Sequence, residues 1–181
     1  MALPSLETAR LELHPWQRHD IDALHSLWTD PGVRRWLWDD EIISREQAEA
    51  AVLESIRNAD EHGVGMWCVR MRGQEELAGF CGFRFIEDTR SVELMFGFAP
   101  AYWGRGLATE ASRAALVYAF AAGALPVVYG RTDAPNRASA RLLERLGMRF
   151  DREILIRDRP ILCYSLQDSA WRRTPGLSGT E

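Results

Sequence analysis

The sequence predicts an α+β (mixed α/β) domain, a sheet layered with helices, on three observations. About seven short apolar or alternating runs read as strands, and about four stretches carry apolar residues at helical spacing. Some strands follow one another through short turns, as hairpins do, whereas two of the helices lie between strands, as crossovers do. The pattern therefore predicts a largely antiparallel sheet with some parallel pairing, whose extent it leaves open.

The elements follow in order. "RLELHPW" (10–16) alternates Leu11 and Leu13 with polar residues and reads as a strand. Ile21, Leu24, Leu27 and Trp28 recur at helical spacing, and "TDPG" (29–32) reads as the stop of that helix. Ser44 with Gln47 forms a capping-box pattern opening a second helix, which His62-Gly63 ends. Strands are predicted over 64–71, 77–86 and 91–99, with "RGQEE" as a hairpin turn between the first two. A small-residue helix over 106–122 ends at Gly123, a strand covers 126–132, and a helix over 137–146 is closed by Gly147. "MRFDREILI" and "PILCYSL" read as a last antiparallel pair. Residues 1–168 form one expected domain, and 169–181 read as a flexible tail.

Composition excludes several chemistries. With 181 residues the chain is long enough for one core without staples. A net charge of −4 gives no nucleic-acid footprint, no apolar run approaches the roughly 18 residues of a membrane span, and no secretory signal is legible, so a cytoplasmic location is expected. Cys68, Cys81 and Cys163 are odd in number and lack a CxxC, which fits buried thiols better than disulfides or zinc. The four histidines precede residue 63 without HExxH spacing, and no GxSxG occurs, so no metal site and no serine triad is expected. All 22 basic residues are arginine. The absence of lysine excludes a pyridoxal Schiff base and a GxxxxGK[ST] nucleotide loop, leaving backbone amides or arginine to hold any phosphate.

The stretch that carries chemistry is "AYWGRGLATEA" (101–111), directly after the strand "VELMFGFAP". A helix start presents unpaired amides and a partial positive charge. Gly104 and Gly106 clear the approach for an anion, Arg105 adds a charge, and Thr109 offers an amide and a hydroxyl. By spacing alone the signal is weak, because glycine pairs at helix starts are common, and a tight turn is the plainer reading beside a phosphate seat.

Taken with "ELMFGFAP" before it and "DAPNRASARLLERLGMRF" after it, the stretch resembles the GNAT superfamily of acyl-CoA N-acyltransferases over about residues 10–166. The superfamily signature is commonly [QR]xxGx[GA]. Here Trp103 takes its first position, Gly106 its glycine and Ala108 its small residue. Tryptophan there is typical of the branch resembling ribosomal-protein N-terminal acetyltransferases, with its "WGxGxAxEA" run.

The resemblance implies a single GNAT-like domain whose sheet is splayed between the strands at 91–99 and 127–132. It implies acetyl-CoA as cosubstrate and no metal. The amides of Gly104, Arg105, Gly106, Ala108 and Thr109 would hold the pyrophosphate, and the main chain at Phe96 and Phe98 would pair with the pantetheine arm. Asn136 would contact the pantetheine region with Ser139 beside it near the sulfur, although Asn136 equally suits a plain helix cap. Glu93 would act as base or orient the acceptor, the alternative being a solvated edge-strand glutamate. Many members protonate the leaving thiolate with a tyrosine about seven residues after the asparagine; here Leu143 stands there, leaving Ser139, Tyr164 or water.

Direct attack by an amine on the thioester is the implied reaction. The first expected acceptor is a protein or peptide α-amine, then a small amine or an aminoglycoside-type antibiotic. A non-catalytic acyl-CoA-binding module is the alternative. The acceptor wall would include Trp36, Trp38 and Asp39, which otherwise read as packed tryptophans beside a solvated acidic turn. A monomer or homodimer is expected.

Overall fold

The computed structural model describes residues 3–87, 89–121 and 125–173. Its strands are β1 (Leu6–Glu7), β2 (Leu11–Pro15), β3 (Met66–Met71), β4 (Leu77–Phe85), β5 (Val92–Phe98), β6 (Val127–Asp133), β7 (Arg149–Ile156) and β8 (Arg159–Gln167). Its α-helices are α1 (Ile21–Thr29), α2 (Pro31–Leu37), α3 (Arg45–His62), α4 (Leu107–Ala121), α5 (Arg137–Arg145) and α6 (Asp168–Trp171). The strands form one sheet in the order β1-β2-β3-β4-β5-β6-β8-β7. Every neighbouring pair is antiparallel except β5–β6, which is parallel.

Helices cover both faces. Alternation along β3 and β5 sends Trp67, Val69, Leu94 and Phe98 to a core under α4 and α5. Met66, Cys68 and Met95 go to a second core under α1, α2 and α3, where Trp16, Trp28 and Phe80 interlock. The amphipathic faces of α1 and α4 close these layers, as their spacing predicts.

Sequence and structure differ at three places. "TDPG" both ends α1 and starts α2: the Asp30 side chain accepts from the amides of Gly32 (2.8 Å) and Val33 (3.3 Å), with Pro31 in the first turn. The two-residue β1 adds an eighth strand. The expected boundary at 168 falls at the start of α6, whose Trp171 is buried against Phe120 at 5.7 Å between ring centroids. Residues 174–181 lie outside the described residues, as does Gly123.

All three cysteines are free and buried. Burial pushes the Cys81 thiol up to about 12 and raises that of Cys163, so neither is a ready nucleophile.

Candidate active site

The splay expected between the two central strands is present. β5 and β6 share one paired position, Glu93↔Tyr129, and no further pairing toward Phe98 and Asp133. The Ala99 amide donates to the Ala78 carbonyl (2.9 Å), so by alternation the backbone groups of Phe96 and Phe98 point away from β4 into the gap. A strand edge unpaired to β6 beyond Glu93, its Phe98 carbonyl taken by the Trp103 indole, therefore lines one wall of a wedge whose floor is Glu93.

The glycine loop stands at the open end of the wedge. A 3-10 turn over Pro100–Tyr102 leads to Gly104 and Gly106, whose φ of 72° and 76° are left-handed, and α4 starts at Leu107. Nothing lies within 4 Å of a Cβ built on Gly104, so the loop is an open cradle. The first-turn amides, including those of Ala108 and Thr109, have no carbonyl one turn earlier in the helix. These features fit an anion. Arg105 is exposed, its guanidinium 5.6 Å from the Tyr102 ring centroid.

Trp103, half exposed, also makes contacts within the protein. Its indole Nε1 donates to the Phe98 carbonyl (2.6 Å), and its ring edge sits over Gly32 of α2. It thus ties the loop to the end of β5 and to the opposite helical layer.

The loop is braced from behind by residues that local motif reading misses. Arg10 Nη1 donates to the Arg105 carbonyl (3.0 Å), and Arg10 Nε donates to Glu110 Oε2 (2.7 Å). Glu110 also accepts from Thr8 Oγ1 (2.6 Å) and the Arg10 amide (3.0 Å). Burial works against the Glu110 charge, but Thr8 and Arg10 outweigh it and hold the carboxyl below its usual range.

At the floor, Glu93 is 1% exposed. Its Oε1 accepts from Arg84 Nε (2.6 Å) and Arg131 Nη2 (2.8 Å), and its Oε2 from Arg131 Nε (2.6 Å). Arg84 is its cross-strand partner on β4, and Arg131 lies two residues beyond Tyr129 on β6. Burial raises the carboxyl, yet the Arg131 hydrogen bond and the two cationic charges prevail and hold it below the ordinary range. A carboxylate so placed is a weak proton acceptor and a strong fixed charge. Glu93 shares its sheet face with Met95, on the side of α1 and α2, while α4 packs on the other face.

Asn136 caps α5: its Oδ1 accepts from the Ser139 amide (3.2 Å). This leaves the Asn136 side-chain nitrogen and the Ser139 hydroxyl, both on half-buried residues, at the start of α5 just after β6. Leu143 is buried, filling the space beneath Gly130. The Tyr164 hydroxyl faces Glu144 Oε1 (3.4 Å), and burial, then Glu144, raises its pKa.

The expected acceptor segment separates into parts. Trp36 is partly exposed on α2, stacked with Arg35 (4.8 Å). Trp38 turns inward, 5.7 Å from the Trp28 ring. The Asp39 carboxylate is already taken by Arg159 Nη1 (2.5 Å) and Arg157 Nη1 (3.3 Å), joining the end of α2 to the β7–β8 hairpin. Among the described residues, no group of three or more His, Cys, Asp or Glu could hold a metal.

A family profile described as an acetyltransferase (GNAT) domain matches residues 10–149. The chain is a GNAT acetyltransferase. The acetyltransferase is 30% identical to the uncharacterized protein YkkB of Bacillus subtilis over 166 residues, 90% of this chain and 95% of that protein. It is 24% identical to the spermidine N(1)-acetyltransferase of Escherichia coli strain K12, over 84% of this chain and 79% of that one. Among solved structures it resembles RimL, a ribosomal L7/L12 α-N-protein acetyltransferase in complex with coenzyme A. That TM-score is 0.78 at 18% identity, covering 92% of this chain and 99% of that one.

Proposed function

We propose that the protein transfers acetyl from acetyl-CoA to the α-amine of a protein or peptide. The carrying observation is the pinned, ion-paired carboxylate of Glu93. Such a group suits an acceptor that needs little help losing its proton. An α-amine with a pKa near 8 is roughly a tenth neutral at pH 7, an ionisation cost of about 1.4 kcal/mol, whereas an alkylamine near 10.4 costs about 4.6 kcal/mol. RimL, named for acting on a protein α-amine, supports this reading by its fold.

In this reading the amides from Gly104 to Thr109 hold the pyrophosphate of the cosubstrate, with Arg105 beside it. The main chain at Phe96 and Phe98 holds the pantetheine arm, and Asn136 contacts it from the opposite wall. Glu93 orients the incoming amine, directly or through water. The amine nitrogen forms a bond to the thioester carbonyl carbon, the C–S bond breaks, and the ammonium proton leaves to solvent. The thiolate gains a proton from water, directly or relayed through the Ser139 hydroxyl, Leu143 offering none.

The test is an acetyl-transfer screen by mass spectrometry over unblocked peptides, polyamines and aminoglycosides. Acetylation of peptide α-amines is expected. Transfer to polyamines or aminoglycosides alone would overturn the acceptor assignment. Coenzyme A binding without transfer to any amine would instead indicate a binding module.

A further inference from the structure

Glu93 has more cation around it than it needs. The two-pronged contact from Arg131 already satisfies both carboxylate oxygens, yet Arg84 is bound to Oε1 as well. One buried negative charge therefore stands between two permanent positive ones. A guanidinium carries five N–H donors. Arg84 directs only Nε at Glu93, and its side chain is 52% exposed; Arg131 directs Nε and Nη2 there and is 24% exposed. Register and alternation put both arginines on the sheet face of Glu93, that of α1 and α2, beside the floor of the wedge.

Among the described residues, the acidic groups nearby do not offset this excess. Asp133 is paired with Arg159 at 2.8 Å, Asp39 with Arg159 and Arg157, and Asp151 with Arg152 at 2.9 Å. Among the described residues, Glu87, in the turn between β4 and β5, is the remaining acid acting on Arg131, and it is exposed. Cys163, opposite Arg131 on β8, is buried and adds no opposing charge at neutral pH.

We propose that Arg84 and Arg131 form an anion subsite, and that the acceptor carries a carboxylate close to its reacting amine. This rests on the acetyl-transfer reading above and narrows it. The carboxylate docks on the outer guanidinium nitrogens, which places the amine beside Glu93 and the floor of the wedge. The net positive charge also favours the neutral, attacking form of a nearby amine over its ammonium form. A polyamine meets the same charge as repulsion. Two sources supply this chemistry: an acidic side chain early in a peptide, or the α-carboxylate of a small amino acid or dipeptide.

The experiment measures kcat/KM with acetyl-CoA for C-terminally amidated peptides differing only by Glu or Gln at the second or third residue. A free neutral dipeptide, its amide and spermidine complete the set. The acidic member of a pair is expected to be favoured at least about tenfold, chiefly in KM and less at high salt. Arg84→Gln leaves Glu93 held by Arg131, so the thermal midpoint should stay within about 2 °C. It should shrink the preference to less than about threefold through a larger loss on the acidic peptide than on the neutral one, and Arg84→Lys should restore part of it. If free dipeptides alone show the carboxylate preference, the peptide reading falls and the subsite stands. Equal rates for Glu and Gln peptides, or an Arg84→Gln variant that slows both alike, overturn the subsite and leave the α-amine reading intact. Preference for spermidine overturns both.

Discussion

Arg131 grips Glu93 with two parallel hydrogen bonds, Nε to Oε2 at 2.6 Å and Nη2 to Oε1 at 2.8 Å. The pair stands beside the Glu93↔Tyr129 bridge that joins β5 to β6, so it latches the floor of the wedge where the strands part. Removing Arg131 leaves a buried carboxylate facing one half-exposed partner. Arg131→Met should destabilise the fold by about 3–5 kcal/mol at pH 7. The double variant Arg131→Met/Glu93→Gln should recover much of that loss, because no buried charge is left unpaired. Urea titrations of the three proteins measure it, and additive losses would show that the two residues do not act as a pair.

The same contact sets a pH dependence. The Glu93 carboxyl is held below its unfolded value, so the folded state binds its proton less readily than the unfolded chain. Its contribution to stability is complete above the unfolded pKa of about 4.3 and is lost as pH falls through the folded value. Wild type should therefore lose stability relative to Glu93→Gln between about pH 5 and the acid limb, and the difference should be flat from pH 6 to 8. A difference growing above pH 6 would mean that Glu93 titrates high, as a general base would.

The rate profile should follow the acceptor and not Glu93. For a peptide α-amine, kcat/KM should rise with pH and level off near 8, with no second limb between pH 5 and 7 from the carboxylate. A lysine ε-amine, about 2.4 pKa units higher, has roughly 250-fold less neutral form at pH 7 and should be slower by a similar factor at equal binding. Initial rates from pH 5.5 to 9.5 with a matched α- and ε-amine peptide pair decide it.

The parts of this site legible in the sequence are the local ones. The glycine loop needs only a strand end, two residues free to take positive φ and a helix start, and all of these lie within 101–111. Alternation along β5 is local too, with Met95 in the core under α1 and α2 and Leu94, Phe96 and Phe98 against the core under α4. The partners of these residues were illegible because they come from register and topology. Arg131 reaches Glu93 across 38 positions, and Asp39 meets its arginines across 118 and 120. Asp39 read as a solvated acid for the same reason. The helix α2 escaped because Asp-Pro-Gly carries a stop signal and a start signal at once, and only the Asp30 cap distinguishes them. The β7–β8 hairpin is legible from its two strands, although its turn residues Arg157 and Asp158 take positive φ, at 49° and 62°, without an Asn-Gly pair.

Gly104 and Gly106 should matter through backbone freedom and not through crowding. A Cβ on Gly104 meets nothing within 4 Å, and one on Gly106 meets only Arg10 Nη2 at 3.8 Å. Alanine is sterically accommodated there but pays about 1–2 kcal/mol to remain left-handed. Coenzyme A affinity, read by calorimetry, should fall roughly 5- to 30-fold for either alanine variant if the loop relaxes. Asparagine, which tolerates this conformation better, should lose less than alanine at Gly104. Equal losses for Ala and Asn would point to contact with the ligand instead of backbone strain.

Gly79 poses the opposite case, where space decides. A Cβ there would lie 2.4 Å from the Gly97 carbonyl oxygen and 2.7 Å from the Phe98 ring. The first obstacle is backbone of β5, the strand that forms the wall of the wedge, and it has no rotamer by which to move. At Gly130, in contrast, a Cβ would meet the flexible end of Leu143 at 2.8 Å. Gly130→Ala should cost about 1–3 kcal/mol, typical of overpacking that side chains absorb. Gly79→Ala should cost more, and should weaken coenzyme A binding as well, because relief comes only by pushing β5 toward the gap. Paired unfolding and calorimetry on the two variants test this. A Gly79→Ala protein as stable as Gly130→Ala, with unchanged coenzyme affinity, would show that β4 yields and that the wall of the wedge is less rigid than its packing implies.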